Sequence, residues 1–141
     1  MNRIIFILFL CFTCTLIRAQ QTEDATRQEA EDNVNSGNMK ASKKNFTGAI
    51  ADYTTALEYD PKYGMAYFYR GAAKAQINDY KGAITDLNKA VEINPKHGLA
   101  YFYRGIAKKS LNDDDGACAD WHKASDLGTN SANQYIKDYC N

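Results

Sequence analysis

Two stretches of this chain are near copies of each other and lie 34 residues apart. Residues 61–71 read PKYGMAYFYRG and residues 95–105 read PKHGLAYFYRG, so only two of the eleven positions differ. A fixed period of this length is typical of helical hairpins that stack side by side. One hairpin alone would leave an apolar face in water, so about three copies are needed to bury a continuous core.

The period extends beyond these two stretches and predicts a third copy. Three successive copies hold the same residue type at several positions of the repeat, and all are separated by the same spacing. These positions are Gly48, Gly82 and Gly116; Ala49, Ala83 and Ala117; Asp52, Asp86 and Asp120; and Ala56, Ala90 and Ala124. The expected fold class is therefore all-α.

Local signals mark where the helices begin and end. Asn45, Asp79 and Asp113 each stand just before the second helix of a hairpin, where a short polar side chain accepts hydrogen bonds from free backbone amides. Pro61 and Pro95 end the helices before them, because proline has no amide to donate. Small residues at the predicted crossings let the two helices of a hairpin approach closely.

The pattern resembles the tetratricopeptide repeat (TPR), whose 34-residue unit is a pair of antiparallel helices. The second copy carries it as Tyr67, Arg70, Gly71, Lys74, Ala83, Leu87, Ala90 and Pro95, and the third as Tyr101, Arg104, Gly105, Lys108, Ala117, Trp121 and Ala124. The first copy keeps Gly37, Ala49, Tyr53, Ala56 and Pro61, but Asn33, Ser36 and Lys40 depart from the pattern.

This resemblance implies a right-handed superhelical array of antiparallel helix pairs. The implied repeats are residues 30–63, 64–97 and 98–131, and a capping helix over residues 132–141 would cover the open end.

The first 19 residues differ from the rest and resemble a secretory signal peptide. Arg3 gives a basic start, Ile4 to Ile17 is almost continuously apolar, and Ala19 is a small residue before Gln20. The apolar run is shorter than the roughly 20 residues of a spanning helix. Cleavage is the prediction, and a retained anchor is the alternative. Residues 20–29 form a polar leader, and the compartment is expected to be the periplasm or exterior of a bacterium.

Loss of residues 1–19 removes two of the 17 basic residues and none of the 17 acidic ones, which leaves a charge near −2. No basic patch predicts binding to nucleic acid, and no membrane insertion is expected after cleavage. Only Cys118 and Cys140 remain in the exported chain. If the capping helix packs on the helix of Cys118, an oxidising compartment favours a disulfide; the alternative is two thiols that never meet.

Nothing in the sequence predicts an enzyme, a cofactor or a metal centre. His97 and His122 have no ligand spacing relative to the two cysteines. The acidic run at residues 113–115 is consecutive, whereas a calcium loop needs oxygen ligands at alternate positions. A turn with a helix cap is the preferred interpretation.

In TPR arrays the first helices line a concave surface, and the resemblance implies an apolar groove there for a protein or peptide partner. Some of these side chains have an alternative role in packing against neighbouring helices. The implied groove residues are Val34, Asn38, Met65, Phe68, Tyr69, Ala72, Leu99, Phe102, Tyr103 and Ile106.

Chaperone-associated members grip a C-terminal carboxylate with basic and amide side chains. Val34, Tyr69, Leu99 and Tyr103 occupy those slots here and only Asn38 agrees, so that clamp is absent. Arg70 and Arg104 are expected to pair with Asp86 or Asp120 as structure. The expected function is a non-enzymatic adaptor; a structural envelope subunit and a glycan or lipid binder are alternatives, and the oligomeric state is open.

Overall fold

A computed structural model describes the backbone of residues 2–140 and the side chains of residues 18–140. Over that range the chain is helical throughout, without a strand. The predicted signal peptide lies outside the residues with described side chains, except for Arg18 and Ala19. Within the described part, no helix has an apolar stretch long enough to cross a bilayer. The helices are α1 (Asn2–Ser42), α2 (Phe46–Tyr59), α3 (Gly64–Gln76), α4 (Tyr80–Ile93), α5 (Gly98–Ser110), α6 (Asp114–Asp126) and α7 (Ser131–Tyr139).

The helices pack as antiparallel hairpins that stack in chain order. Helices α1 and α2 form the first hairpin, α3 and α4 the second, and α5 and α6 the third. The second helix of each hairpin contacts the first helix of the next, and α7 packs on α6. The first helices α1, α3 and α5 also contact one another, so they form a common inner surface.

The turn inside each hairpin repeats the same backbone motif. Lys44, Asn78 and Asn112 adopt left-handed backbone angles, with φ of 60°, 63° and 63°. The amide of each following residue bonds to a carbonyl five residues earlier, as in Asn45 N to Lys40 O at 2.9 Å, which is a Schellman ending. The same following residue, Asn45 in the first turn, then caps the next helix.

The predicted N-caps are confirmed in all three hairpins. The side chains of Asn45, Asp79 and Asp113 each accept a hydrogen bond from the backbone amide three residues later, at 3.0 Å. His97 caps α5 in the same way through Nδ1, which accepts from the amide of Ala100 at 3.3 Å. This histidine cap was not predicted, because its position resembled a linker.

Glycines let a large side chain of the second helix pack directly on the first helix. A Cβ at Gly37 would lie 2.5 Å from a ring carbon of Tyr53, and one at Gly105 would lie 2.5 Å from Nε1 of Trp121. Both aromatic side chains are fully buried. Because real side chains do not approach so closely, these glycines are required by space.

In each hairpin, polar side chains of the first helix bond to the repeating aspartate of the second helix. We call this set of contacts the polar ladder. Arg70 donates to both carboxylate oxygens of Asp86, at 2.9 and 2.7 Å, and Lys74 adds a third contact at 2.8 Å. Arg104 and Lys108 hold Asp120 in the same way. The predicted arginine–aspartate pairs are therefore present. The hydrogen bond to Asp86 raises the pKa of Arg70, although burial opposes it.

The first hairpin has a weaker version of the ladder. Asp52 accepts from Ser36 at 2.7 Å and from Lys40 at 2.8 Å, because no arginine stands at the position of Ser36. Burial raises the pKa of Asp52, but the hydrogen bonds from Lys40 and Ser36 outweigh it, so the net shift is downward. The three ladders join the two helices of each hairpin.

Candidate functional site

The inner surface carries a cavity of about 470 Å³ beside the first turn. Helices α1, α2, α3 and α5 and the first turn contribute its walls. Four of the predicted groove residues line it: Asn38, Tyr69, Ala72 and Tyr103. The other lining residues are Ala41, Ser42, Lys44, Phe46, Tyr53, Ala73 and Gln76. We call this cavity the inner pocket.

Two tyrosines form one wall of the inner pocket. The rings of Tyr53 and Tyr69 stack with their centroids 5.8 Å apart and their planes 21° apart. The hydroxyl of Tyr53 donates to Oδ1 of Asn38 at 2.8 Å. Burial raises the pKa of Tyr53 to about 12, so it remains a donor at neutral pH. This bond engages the side-chain oxygen of Asn38.

The polar rim of the inner pocket combines one cation with groups that both donate and accept hydrogen bonds. Lys44 is the charged residue of the lining, which contains no aspartate, glutamate or histidine. Among residues 18–140, the hydroxyls of Tyr69 and Tyr103 have no hydrogen-bond partner, and neither does the side chain of Gln76. Hydroxyls and amides both donate and accept, whereas the lysine only donates. The pocket is therefore suited to a ligand that joins an anionic or polar group to an apolar part.

Three other predicted groove residues are largely buried. Val34, Phe68 and Phe102 are 4%, 6% and 8% exposed. The ring of Phe68 lies 4.5 Å from that of His97 and 5.8 Å from that of Tyr103, both in the next hairpin. Phe68 thus joins neighbouring hairpins, and Phe102 packs on Tyr135 of α7. This is the packing role that the sequence left open for some groove residues.

The last three predicted groove residues lie elsewhere on the hairpins. Met65 lines a separate cavity of about 230 Å³ near the start of α3, together with His97. Leu99 is 46% exposed. Ile106 packs against the core of the third hairpin. The structure therefore groups four of the ten predicted residues in one pocket and distributes the other six.

Comparison with known families finds a similarity in the repeats. A family model described as "TPR repeat" matches residues 37–77, and one described as "Tetratricopeptide repeat" matches residues 64–97. Residues 37–97 are therefore similar to tetratricopeptide repeats. No curated protein sequence matches it significantly.

Solved TPR domains share the fold over most of the chain. The first TPR of Spaghetti (RPAP3), bound to the HSP90 peptide SRMEEVD, is 25% identical, with a TM-score of 0.78 over 81% of this chain and 92% of that chain. The Arabidopsis OM64 TPR domain is 26% identical, with a TM-score of 0.75 over 80% of this chain and 98% of that chain. The second TPR domain of human RPAP3, in complex with an HSP70 peptide, is 21% identical, with a TM-score of 0.75 over 84% and 98%.

The C-terminal end of the helical array is closed by aromatic packing and a disulfide. Tyr135 of α7 packs its ring 5.1 Å from Phe102 and 5.0 Å from Trp121. The structure joins Cys118 to Cys140, with 2.07 Å between the sulfur atoms. No group of three or more potential metal ligands is found in the described part of the chain. Asp113 of the acidic run caps α6, and Asp114 pairs with Lys109 at 2.9 Å.

Sequence reasoning missed seven residues of the inner pocket. Phe46, Tyr53 and Ala73 fall at repeat positions that read as core. Ala41, Ser42, Lys44 and Gln76 lie at the ends of first helices or in the first turn, which the groove pattern does not include. The one available signal was Lys44 itself, since the equivalent turn positions hold Asn78 and Asn112.

Proposed function

We propose that this chain is a non-enzymatic protein-interaction module that binds a segment of a partner protein in the inner pocket. The observation that carries the proposal is the cavity of about 470 Å³ on the surface of the first helices, with tyrosines on its wall and one lysine among the polar groups of its rim. Its volume lies within the range of about 300–1,000 Å³ usual for ligand sites. The similar TPR of Spaghetti binds a peptide, which supports a peptide as the ligand class.

The chemistry of the lining favours binding over catalysis. A nucleophile with a base, or a pair of carboxylates, is the minimum for most hydrolytic sites. The inner pocket holds no carboxylate, and the hydroxyl of its one serine, Ser42, donates to the carbonyl of Met39 at 2.8 Å instead of to a base.

A carboxylate clamp of the chaperone-associated type does not fit the inner surface. Of the slots that the family uses for this purpose, Val34 is buried and Leu99 is an exposed aliphatic residue. Tyr69 and Tyr103 occupy two others and present hydroxyls in place of cations. We therefore propose a partner segment other than a chaperone tail.

We also propose that the protein is exported from a bacterial cell and that its repeats are residues 30–63, 64–97 and 98–131. The apolar leader and the pairing of Cys118 with Cys140 support export, because disulfides persist in oxidising compartments. Intact-mass measurement of protein from native cells tests the proposed export. We expect a chain that starts at Gln20 and lacks two thiol hydrogens; a full-length or reduced chain would contradict export.

A peptide-display selection tests the binding function. Protein produced from the full chain is used as bait, and enriched peptides are then measured against two matched variants. Ala72→Glu places a charge in the inner pocket, whereas Ala119→Glu places the same charge on an exposed position of α6.

We expect selected peptides to lose at least tenfold in affinity with Ala72→Glu and to keep it with Ala119→Glu. Equal affinity for both variants would overturn the pocket as the site. If no peptide is enriched, the proposal fails in favour of a structural subunit or a glycan or lipid binder.

A further inference from the structure

We propose that the inner pocket selects an internal partner segment in which a bulky apolar side chain stands within a few residues of an acidic one. This inference rests on the proposed function, since it names the chemistry of the segment that the same pocket binds. It follows from how the lining divides into an apolar part and a rim with a single charge.

The apolar part is suited to one large side chain. Phe46 and Tyr69 supply rings, the buried ring of Tyr53 stacks against Tyr69, and Ala41, Ala72 and Ala73 have small side chains. Aromatic walls favour offset or edge-to-face packing with an inserted ring and also accept an aliphatic side chain. A bulky apolar residue of the partner is therefore the anchor.

The charge of the rim comes from Lys44 alone. Its ammonium group has no partner among residues 18–140, and the lining has no carboxylate to neutralise it. The nearby Lys40 is already paired with Asp52 at 2.7 Å, and Asp52 does not line the pocket. A single free cation at the mouth of an apolar pocket is complementary to one carboxylate of the partner.

The backbone fixes where this lysine stands. Lys44 occupies the left-handed position of the Schellman ending, with φ of 60°. Asparagine or glycine is preferred there, and the equivalent positions hold Asn78 and Asn112. Lys44→Asn therefore removes the charge and is expected to preserve the turn, which makes it a matched variant that the chain itself supplies.

A single lysine balances one carboxylate. An acidic C-terminal residue would carry two carboxylates, one on its side chain and one at the chain end. The slots that grip a terminal carboxylate in the family hold no cation here. The segment is therefore internal, and its acidic group is a side chain.

The test uses synthetic nonapeptides with acetylated N-termini, each made both with an amidated and with a free C-terminus. Each carries a central Leu, Phe or Trp and, two residues away, Glu, Gln or Lys. Affinities for protein produced from the full chain are measured by fluorescence polarisation at low and at high salt. The variants are Lys44→Asn, Lys44→Glu and the neighbouring control Lys43→Asn, which is exposed and outside the pocket.

We expect the Glu series to bind about threefold to tenfold more tightly than the Lys series at low salt, as a solvent-accessible ion pair allows. Lys44→Asn abolishes the preference, Lys44→Glu inverts it, and Lys43→Asn retains it. A preference unchanged in both Lys44 variants would overturn the inference while leaving the pocket as a peptide site. Tighter binding of peptides with free C-termini, independent of the internal Glu, would overturn the internal segment.

Two pocket-filling variants separate this outcome from failure of the proposed function. Ala72→Trp fills the apolar part, and Gln76→Trp covers it from an exposed position that does not disturb the core. We expect both to lose peptide binding while thermal unfolding shows a folded protein. Retained binding in both, or no binding to the wild type, would overturn the proposed function together with this inference.

Discussion

The first and the last hairpin share one repeat pattern but are stabilised to different degrees. In the last hairpin, Asp120 is held by an arginine and a lysine, and its side chain is 5% exposed. In the first, Asp52 has Ser36 in place of the arginine and is 16% exposed. The last hairpin is also covered by α7 and its disulfide. The inner pocket lies beside the first hairpin, where fewer cross-links hold the helices together.

This difference indicates a division between a rigid end and a binding end. Arginine in the second and third hairpins also reaches the preceding hairpin, as in Arg104 Nη1 to Asn88 Oδ1 at 2.8 Å. Ser36 of the first hairpin, which has no hairpin before it in the array, donates to Asp52 of its own hairpin. The inner pocket is lined mainly by the first two hairpins, and the cation of its rim, Lys44, stands in the first turn.

The largest expected effect comes from removing the repeating carboxylate at the two ends. Asp120→Ala leaves Arg104 and Lys108 without their counter-charge in a mostly buried setting. We therefore expect the free energy of unfolding to fall by about 3 kcal/mol. Asp52→Ala removes a more exposed pair and should cost about 1 kcal/mol. Urea unfolding of both variants measures the difference. Equal losses would show that the two ladders are equivalent.

The disulfide is expected to contribute almost as much, and only at the last hairpin. Cys118 and Cys140 are 22 residues apart, and closing a loop of this size stabilises by about 3 kcal/mol in the chain-entropy model. Reduction, or the double substitution Cys118→Ala with Cys140→Ala, should lower the unfolding midpoint accordingly. Hydrogen exchange should rise in α7 and remain unchanged in α1 and α2. Uniform loss of protection along the chain would contradict the division between the two ends.

A smaller effect is expected from filling the close approach at Trp121. Gly105→Ala introduces a Cβ 2.5 Å from the buried indole, and overpacking of this kind costs about 1–3 kcal/mol. Trp121 also donates to the carbonyl of Phe102 at 3.3 Å, so a shifted ring should change its fluorescence. A variant with wild-type stability and emission would show that the indole moves without cost.

The smallest predicted effect is a pH dependence at the junction of the second and third hairpins. Burial lowers the pKa of His97, whose Nδ1 caps α5, below the ordinary value of 6.5. Because the unfolded chain binds the proton more readily, this contribution is present above about pH 6.5 and is lost as pH falls through the lower folded pKa.

Urea unfolding from pH 7 to pH 5 measures the effect, with His97→Asn as the control. Asparagine keeps a capping side chain but does not titrate, so its unfolding free energy should fall less over the same range. Arg27, Asp60 and Lys62 share the cavity beside His97 and remain in both proteins. Identical pH profiles would exclude a role for the histidine cap.

The parts of the fold that were predictable from sequence depend on local or periodic signals. Asn45, Asp79 and Asp113 were identified as caps because a short polar residue stood before each second helix. The pairs of Arg70 and Arg104 with the repeating aspartates followed from their common phase. The all-α fold itself followed from the repeat.

The inner pocket was only partly predictable, for a physical reason. Phe68 and Tyr69 are adjacent on α3, and which of them faces the groove depends on the rings of the next hairpin. Phe68 fills the space beside His97 and Tyr103, which leaves Tyr69 at the pocket. The contribution of Lys44 depends on the geometry of the turn, which repeat spacing does not specify.

The most direct test of a partner site on the inner surface is site-specific photo-crosslinking in native cells. A photoreactive amino acid is placed at position 72, in the inner pocket, or at position 119, on the exposed face of α6. If the inner pocket binds a partner, position 72 should give a discrete crosslinked protein that position 119 does not give. This species should be lost when Gln76→Trp covers the pocket. The same crosslinked species from both positions, or from position 119 alone, would contradict it.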